Sequence, residues 1–273
     1  MKWLTTEEHR KVVERLVSFL SSVKGVHTHK AGMEYTSLMA CFAMHSKGAA
    51  ESILALHDRF GKDWFPATTG YLIVRSLFEV DVTAHYITQD PIGRSRRYID
   101  FEHVIRKTTL EAVERHRASK EPSWREAMQL LYNHKYAPQK AKIDADYARV
   151  RSQFENKKGK RGTSWSGKSL YAMAKEVDHL EAYEIFYADL SSFAHVNVIL
   201  ANRFLRLKGL SGDGPVWSQR ANEFDVANVF RYAAIFLTCF LELFGKEFGL
   251  WDTGRIEACW NFPEAEGRKP VME

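Results

Sequence analysis

The stretch TGYLIVRSLFEVDVTAHYI, residues 69–87, decides the fold class of this chain. Its apolar residues surround the whole circumference of a helix, which indicates an element buried inside a protein. It nevertheless carries four ionisable side chains: Arg75, Glu79, Asp81 and His85. The first two are four residues apart, and so are the last two, so that each couple shares one helical face. Because a buried charge needs a partner, we expect each couple to satisfy itself.

Helix-forming patterns also run through the rest of the chain. Thr5 and Glu8 match the capping box that opens a helix, and Gly61 is placed to end a later one. Asp90 followed by Pro91 is the pairing expected at the cap and first turn of another helix. No segment alternates between apolar and polar residues as a half-buried strand does. These patterns predict an all-α multi-helix bundle with long antiparallel helices and no substantial sheet. The longest predicted helices cover about residues 33–60, 67–89, 91–119, 180–207 and 223–248.

The composition is that of a folded globular protein. Hydrophobic residues make up 45% and charged residues 27% of the 273 positions. We predict a single helical domain over residues 1–273, with a core at about 5–250. A basic loop at 156–167 and a C-terminal tail at 251–273 are predicted to lie outside that helical core.

The cysteine and hydropathy patterns indicate a cytoplasmic protein. Cys41, Cys239 and Cys259 are far apart and lack ligand spacing, which argues against a disulfide framework and against structural zinc. The N-terminus is charged where a signal peptide would be apolar. The most apolar run, residues 232–244, is shorter than the roughly 20 residues of a spanning helix. We therefore expect no membrane association.

A second predicted helix combines an apolar surface with a polar stripe. Its sequence is EAYEIFYADLSSFAHVNVILANRFLRL, residues 181–207. At about 100° per residue, its polar side chains fall in one narrow band. Such a band needs a polar partner, and the face of Arg75 and Glu79 is the simplest one available. The predicted catalytic cluster comprises five residues: Arg75, Glu79, Tyr187, Ser191 and His195.

Two interpretations of this cluster stay open. In the functional one, His195 is a general acid or base near neutral pH, and Arg75 holds a phosphate or another anion. Glu79 orients the arginine or the histidine, while Tyr187 and Ser191 position the substrate. In the structural one, the same side chains form a hydrogen-bonded network that sets the register of two helices.

Basic residues indicate an anionic partner, RNA among the candidates. The net charge is +5 and the isoelectric point is about 9.0. The stretch GTSWSGKS, residues 162–169, matches the phosphate-binding loop of nucleotide-binding proteins, but no apolar strand precedes it. We therefore interpret it as part of a basic, flexible loop. Seven residues are predicted to contact nucleic-acid phosphate: Arg94, Arg96, Arg97, Lys157, Lys158, Lys160 and Arg161.

Neither a metal nor a cofactor is expected from the sequence. Asp81 and His85 could supply two metal ligands from one helical face, but a complete site needs more. No HExxH or paired ExxH motif is present to supply them. Asp81 is instead predicted to orient His85.

Two motifs carry a resemblance to a known family: RSLFE at 75–79 and SSFAH at 191–195. With their surroundings, from about Glu34 to Leu207, they resemble a widespread bacterial family known only as a domain of unknown function, DUF5677. That resemblance implies no established activity. More distantly, the arrangement looks like the helical-bundle nucleases of toxin, antitoxin and phage-defence systems. Members of that superfamily are often metal-independent ribonucleases that work at a dimer interface.

The leading hypothesis is an effector of bacterial stress or phage defence with metal-independent ribonuclease activity at the cluster of Arg75 and His195. The main alternative is a non-enzymatic helical binding or scaffold protein in which the cluster is structural. A third hypothesis is a small-anion sensor that uses the same cluster as its pocket. A homodimer is the default expectation for the oligomeric state.

Overall fold

The computed structural model describes residues 4–23, 32–156, 159–187, 190–191, 223–251 and 253–262. Within these ranges every regular element is a helix, and one isolated antiparallel bridge joins Glu155 to Arg161. The prediction of an all-α multi-helix fold without a substantial sheet is confirmed. The α-helices are α1 (Thr6–Ser21), α2 (Met33–Trp64), α3 (Ala67–Thr88), α4 (Pro91–His116), α5 (Pro122–Leu131), α6 (Lys140–Phe154), α7 (Leu170–Glu176), α8 (Leu180–Ala182), α9 (Glu223–Phe248) and α10 (Thr253–Glu257).

Several short turns depart from α-helical geometry. Two are π-helical, at Tyr132–Tyr136 and Tyr183–Tyr187. Two others are 3-10 helical, at Ala137–Gln139 and Ala258–Trp260. A π-helical turn is rare and is found disproportionately at functional sites. The second π-helical turn carries Tyr187, a member of the predicted cluster.

Sequence signals account for several helix ends. The Thr5 side chain accepts a hydrogen bond from the Glu8 amide, and the Glu8 carboxylate accepts one from the Thr5 amide, as the capping box predicts. Asp90 caps α4 by accepting a hydrogen bond from the Gly93 amide. Gly61 takes a φ of 64° and interrupts α2 within its last turn.

The chain divides into two compact units. Unit 1 comprises Met1–Tyr86 and Met173–Glu273, and unit 2 comprises Ile87–Ala172. Such a division does not show that either unit folds alone. The prediction of a single domain over the whole chain therefore stays a prediction.

Helix α9 forms the centre of unit 1. Its residues Phe236, Phe240 and Phe244 are almost fully buried, and α1 and α2 both pack against it. Phe78 of α3 meets Phe236 with ring centroids 5.1 Å apart. Each buried ring of this kind contributes about 1.5–3 kcal/mol of stabilisation. This packing holds α3, and the ionisable couples on it, in the interior of the unit.

The length and composition of α9 are also sufficient to cross a membrane. Its most apolar 18-residue stretch has a mean hydropathy of 1.5, and 56% of that stretch is buried inside the protein. A buried core helix passes the same test, so this one helix is weak evidence for a membrane span.

The segment after α9, where the sequence predicts a C-terminal tail, packs against α1. Arg15 Nη1 donates a hydrogen bond to the Cys259 carbonyl oxygen at 2.9 Å. The His9 and Trp260 rings meet edge to face with centroids 6.1 Å apart. Helix α10 and the turn after it therefore belong to the packed part of unit 1.

Unit 2 is built mainly from α4, α5 and α6. Helix α4 packs against α6 along much of its length. Two apolar clusters fill the space between these elements: Val104, Tyr147, Val150 and Phe154 in one, and Leu110, Val113, Tyr136 and Ile143 in the other. The loop that follows α6 is attached to this scaffold.

Candidate functional site

Three members of the predicted catalytic cluster form a hydrogen-bonded triangle. Arg75 Nε donates to Glu79 Oε1 at 2.8 Å, and Arg75 Nη2 donates to the Tyr187 hydroxyl at 2.8 Å. The Tyr187 hydroxyl donates to the same Glu79 Oε1 at 3.1 Å. The predicted meeting of the two polar helix faces is thus confirmed for Tyr187.

Local backbone geometry brings Tyr187 to α3. Helix α8 is a single short turn, and the chain continues as a π-helical turn in place of the straight α-helix predicted from residue 180. In this turn the rings of Tyr183 and Tyr187 stack with centroids 4.8 Å apart. Phe78 of α3 packs against Tyr187 at 5.6 Å. The aromatic contacts hold the phenol ring while its hydroxyl reaches the salt bridge on α3.

Two further members of the predicted cluster follow Tyr187 in the chain. Ser191 is partly buried, and a hydrogen bond joins its side chain to Tyr187. His195 lies outside the described residues. The structure therefore brings Arg75, Glu79, Tyr187 and Ser191 together, and the catalytic role of the five residues stays a prediction.

The salt bridge in this triangle is partly open to solvent. Arg75 exposes 23% of its side chain and Glu79 exposes 42%. Burial works to lower the pKa of Arg75, but Glu79 and Tyr187 outweigh it, so the net shift is upward. Burial and then the charge of Glu79 raise the pKa of Tyr187. At neutral pH the cluster thus combines a fixed cation, a protonated phenol and a carboxylate that solvent can reach.

A second polar cluster lies on α3 and is only half predicted by the sequence. Asp81 is 1% exposed and lies between two imidazoles. Its Oδ1 is 3.1 Å from His85 Nδ1, and its Oδ2 is 3.1 Å from His179 Nε2. The centroids of the two imidazole rings are 4.5 Å apart. The predicted couple of Asp81 and His85 is confirmed, whereas no pattern in the sequence points to His179.

The turn after α7 presents His179 to α3. Asp178 has a left-handed φ of 59°, a conformation that Asp adopts more readily than most residues. The His179 amide donates to the Ala174 carbonyl at 2.8 Å, and its ring Nδ1 donates to the Val177 carbonyl at 2.8 Å. Nε2 is therefore the ring nitrogen that faces Asp81.

Asp81 is buried, and besides the two imidazoles it interacts with two acidic side chains of α9, Cys239 and Glu242. Burial works to raise the pKa of Asp81, but the two imidazoles outweigh it and the net shift is downward. Burial likewise opposes the charged form of His179, yet Asp81 raises its pKa overall. On α9, burial and then Asp81 raise the pKa of Cys239 to about 12. Burial, then Glu257 and Asp81, raise the pKa of Glu242. Additional negative charge is therefore unfavourable here, and a cation is favoured.

Two basic residues predicted to contact nucleic acid are engaged within unit 2. Arg97 Nε donates to the Trp165 carbonyl at 2.6 Å, and its guanidinium lies 4.8 Å from the centroid of the Phe154 ring. Arg161 makes a bidentate pair with Glu111, with nitrogen-to-oxygen distances of 2.6 and 2.7 Å. Both contacts attach the loop after α6 to the helices of its unit.

The other basic residues of that prediction differ in their surroundings. Arg96 and Lys160 are exposed, and Arg94 donates to the Gln89 side chain at 2.8 Å. Two more lie outside the described residues: Lys157 and Lys158. Nucleic-acid binding by all seven stays a prediction.

The stretch that matches a phosphate-binding loop, residues 162–169, has a different structural context from such a loop. It follows helix α6 and a short turn, where the motif requires a strand. Two serine side chains of the stretch form hydrogen bonds with the backbone of Lys168. Ser164 and Ser166 both donate to the Lys168 carbonyl, and the Lys168 amide donates to the Ser166 hydroxyl. The stretch forms a turn at the surface of unit 2 and is attached to α4 through the Trp165 carbonyl.

The fold and the two clusters define an all-helical protein whose buried helix α3 presents two ionisable couples to the segment at 179–187. The chain belongs to a family of unknown function, DUF5677, whose model matches residues 39–213 and thus covers both clusters. The family resemblance inferred from the sequence is confirmed. Searches of curated proteins and of solved structures found no match. These comparisons give no support to the more distant resemblance to helical-bundle nucleases.

Proposed function

We propose that this protein is a metal-independent ribonuclease that acts through Arg75, Glu79, Tyr187, Ser191 and His195. The observation that carries the proposal is the hydrogen-bonded triangle, in which a carboxylate is both oriented and reachable from solvent. Arg75 and Tyr187 both donate to Oε1 of Glu79, so Oε2 is the oxygen that a substrate would meet. Cleavage of RNA without a metal needs such a base, together with a cation and an acid.

In the proposed reaction, the 2′-hydroxyl of a ribose attacks the adjacent phosphorus atom. Glu79 removes the hydroxyl proton as the new phosphorus–oxygen bond forms, and Arg75 stabilises the negative charge on the phosphoryl oxygens. The bond from phosphorus to the 5′-oxygen breaks, and His195 donates the proton that this leaving oxygen requires. Tyr187 and Ser191 orient the carboxylate and the substrate. The products are a cyclic phosphate and a free 5′-hydroxyl.

Charge and cysteine chemistry support the setting that we propose for this activity. The net charge of +5 favours RNA as an anionic partner. Free thiols at Cys41, Cys239 and Cys259 fit the reducing cytoplasm, where we place the protein. We propose a role in bacterial stress or phage defence, and a homodimer as the active form.

One observation favours the non-enzymatic alternative. Arg75, Glu79 and Tyr187 satisfy one another through hydrogen bonds, as a network that fixes helix register would. A small-anion sensor would use the same arginine, but it would bind its ligand without turnover. The three functions differ in whether RNA is cut, an anion is bound, or neither occurs.

The test is incubation of the purified full-length protein with labelled RNA in the presence of a chelator. We expect products with a cyclic phosphate end, and cleavage about 100-fold slower with Glu79→Gln. The matched control is Glu51→Gln, which removes the same charge from another i, i+4 pair on a helix, the pair with Lys47. Intact RNA with the wild-type protein, or equal cleavage by the wild type and Glu79→Gln, overturns the proposal. Binding of phosphate without cleavage would identify the sensor.

A further inference from the structure

We propose that Asp81, His85 and His179 form a binding site for a divalent transition-metal ion. One ring nitrogen of each imidazole and one carboxylate oxygen lie within 4.8 Å of one another, so small side-chain rotations bring them onto one ion. Asp81 and His85 lie on α3, and His179 lies in the turn before α8. The site does not depend on the proposed ribonuclease activity, because metal binding is measured directly.

Distances and directions around Asp81 suit a shared metal ion better than two hydrogen bonds. Each imidazole has a nitrogen 3.1 Å from a carboxylate oxygen. Among the described residues, however, neither carboxylate oxygen receives an aligned hydrogen bond. The proton of a hydrogen bond lies close to the line between the two heavy atoms. Two atoms that bind one metal ion instead point at the ion, which lies to the side of the line between them. With metal–ligand bonds of about 2.0–2.2 Å, the two ligand atoms lie about 2.9–3.5 Å apart.

The orientation of His179 supports the same assignment. Its Nδ1 donates to the Val177 carbonyl, so Nε2 carries a lone pair in the neutral ring. That lone pair faces Oδ2 of Asp81, and the contact is repulsive unless a proton or a metal ion lies between them. The Val177 carbonyl thus fixes one ring nitrogen of His179, which is a common support for a histidine ligand. His85 differs, because its Nδ1 is 3.0 Å from the Asp81 carbonyl oxygen as well as 3.1 Å from Oδ1, so binding an ion through Nδ1 replaces the contact with the carbonyl.

Charge balance at Asp81 also favours a metal ion. A carboxylate that is almost fully enclosed needs a compensating positive charge. Glu242 of α9 adds a second acidic group close enough to interact with both Asp81 and His85. This negative charge is uncompensated unless a proton or a cation lies in the site. A divalent ion compensates it and keeps the imidazoles in the neutral form that binds metals.

The ligand set indicates which class of ion fits. Imidazole nitrogens favour Zn²⁺, Co²⁺, Ni²⁺ and Fe²⁺ over Mg²⁺ and Ca²⁺, which prefer oxygen ligands. Three protein ligands leave at least one coordination position for water or another small ligand. The side chains of His85 and His179 are 23% and 19% exposed, so solvent reaches the site past the imidazoles.

A bound ion would join the same two segments that the first cluster joins. Along α3 the Arg75 couple precedes the Asp81 couple, whereas along the facing segment His179 precedes Tyr187. The two segments therefore run antiparallel, with one polar cluster at each end. An ion at Asp81 clamps the end opposite Tyr187, so we expect metal binding to raise the Tm.

The test uses the full chain without an affinity tag, stripped with a chelator and titrated with Co²⁺ as the probe. We expect saturable binding of one ion, visible ligand-field absorption, displacement by Zn²⁺ and a higher Tm. His179→Gln and His85→Gln are each expected to weaken binding about 100-fold. The matched control is His103→Gln, which removes an imidazole whose Nδ1 is 3.8 Å from Asp146 Oδ2 in unit 2. This control should bind Co²⁺ as the wild type does.

Two results would overturn the metal site: no saturable binding by the wild-type chain, or equal affinities of the wild type and His179→Gln. Far-ultraviolet circular dichroism establishes that each variant is folded. If one histidine variant unfolds, the other carries the comparison, with Asp81→Asn as a third. The wild-type titration is decisive on its own if all three unfold. Since RNA cleavage is assayed in chelator, failure of that activity and failure of metal binding remain distinguishable.

Discussion

Each unit contains an arginine between a glutamate and a tyrosine, but the two units use that arginine differently. In unit 2, Arg161 donates through Nη1 and Nη2 to both oxygens of Glu111, at 2.6 and 2.7 Å. Its Nε donates to the Tyr147 hydroxyl at 2.7 Å, and its guanidinium lies 4.5 Å from the centroid of that ring. All three nitrogens are engaged, so this arginine is a structural tie between the loop after α6 and helix α4.

In unit 1, Arg75 uses fewer of its nitrogens, although its side chain is about as exposed as that of Arg161, 23% against 27%. It donates through Nε to Glu79 and through Nη2 to Tyr187, and no acceptor for its Nη1 is found among the described residues. A guanidinium with a remaining donor can take a ligand anion, especially beside a carboxylate that is 42% exposed. We therefore call the bidentate pairing of Arg161 the closed pair and the monodentate pairing of Arg75 the open pair.

The largest expected effect is on catalysis. Arg75→Lys keeps the positive charge but removes the planar fork of donors, so we expect RNA cleavage to slow about 100-fold. Arg161→Lys changes the closed pair of unit 2 but keeps the positive charge that a nucleic-acid phosphate would meet, so it should leave the rate unchanged. Initial rates of RNA cleavage in chelator measure both. If both variants lost the same fraction of the cleavage rate, Arg75 would have no catalytic role that Arg161 lacks.

The second expected effect is on stability, and here Arg161→Lys should cost more than Arg75→Lys, the reverse of their order in catalysis. Arg161→Lys loses the bidentate pairing, which we expect to lower the free energy of unfolding by about 1–2 kcal/mol. This figure allows for solvent screening, because the two partners are 27% and 35% exposed. Arg75→Lys should cost about 0.5 kcal/mol. Urea denaturation compares the two, and a larger loss for Arg75→Lys would identify the pair of unit 1 as the structural one.

Local periodicity explains what the sequence could predict of these sites. The two couples on α3 are four residues apart on one helix, and this spacing is visible in the sequence. The contact between Arg75 and Tyr187 follows from matching two polar faces on apolar helices. The π-helical turn that delivers Tyr187 was missed, because its residues also suit an α-helix.

Long-range contacts explain what could not be predicted. His179 stands alone in a turn, so no periodicity marks it, and its position depends on how the end of α7 meets α3. Arg97 and Arg161 have the local sequence of a solvated basic segment. Their acceptors, which include the Trp165 carbonyl and Glu111, come from distant positions in the chain. A basic pattern predicts the charge of a segment but not the partner of each side chain.

The closed pair also makes the stability of unit 2 depend on pH. Hydrogen bonds from Arg161 hold the pKa of Glu111 below its ordinary value and outweigh the effect of burial. A lowered folded-state pKa means that this stabilisation is complete above the unfolded-state value of about 4.3. It is lost as the pH falls through the folded-state value. We expect the urea midpoint of the wild type to fall from about pH 5 downward, and Glu111→Gln to reduce this fall. An unchanged acid dependence in the variant would assign it to other carboxylates.

The smallest expected effect concerns the two tyrosine hydroxyls. The Tyr147 hydroxyl accepts a hydrogen bond from Arg161 and donates one to Glu155, so Tyr147→Phe removes both. We expect it to cost about 1 kcal/mol in urea denaturation. Tyr187→Phe should cost about 0.5 kcal/mol, since Arg75 keeps its carboxylate partner and solvent can replace the lost hydroxyl.

Double-mutant cycles on these tyrosines sharpen the comparison further. In the closed pair, Tyr147→Phe and Arg161→Lys act on one network, so their combined cost should differ from the sum of the single costs by at least about 0.5 kcal/mol. In the open pair, Tyr187→Phe and Arg75→Lys also act on one network, but the single costs are smaller, so we expect their coupling to be weaker than that of the closed pair. Strong coupling in unit 1 as well would mean that its arginine is bound as tightly as Arg161. The geometric basis for assigning catalysis to Arg75 would then be lost.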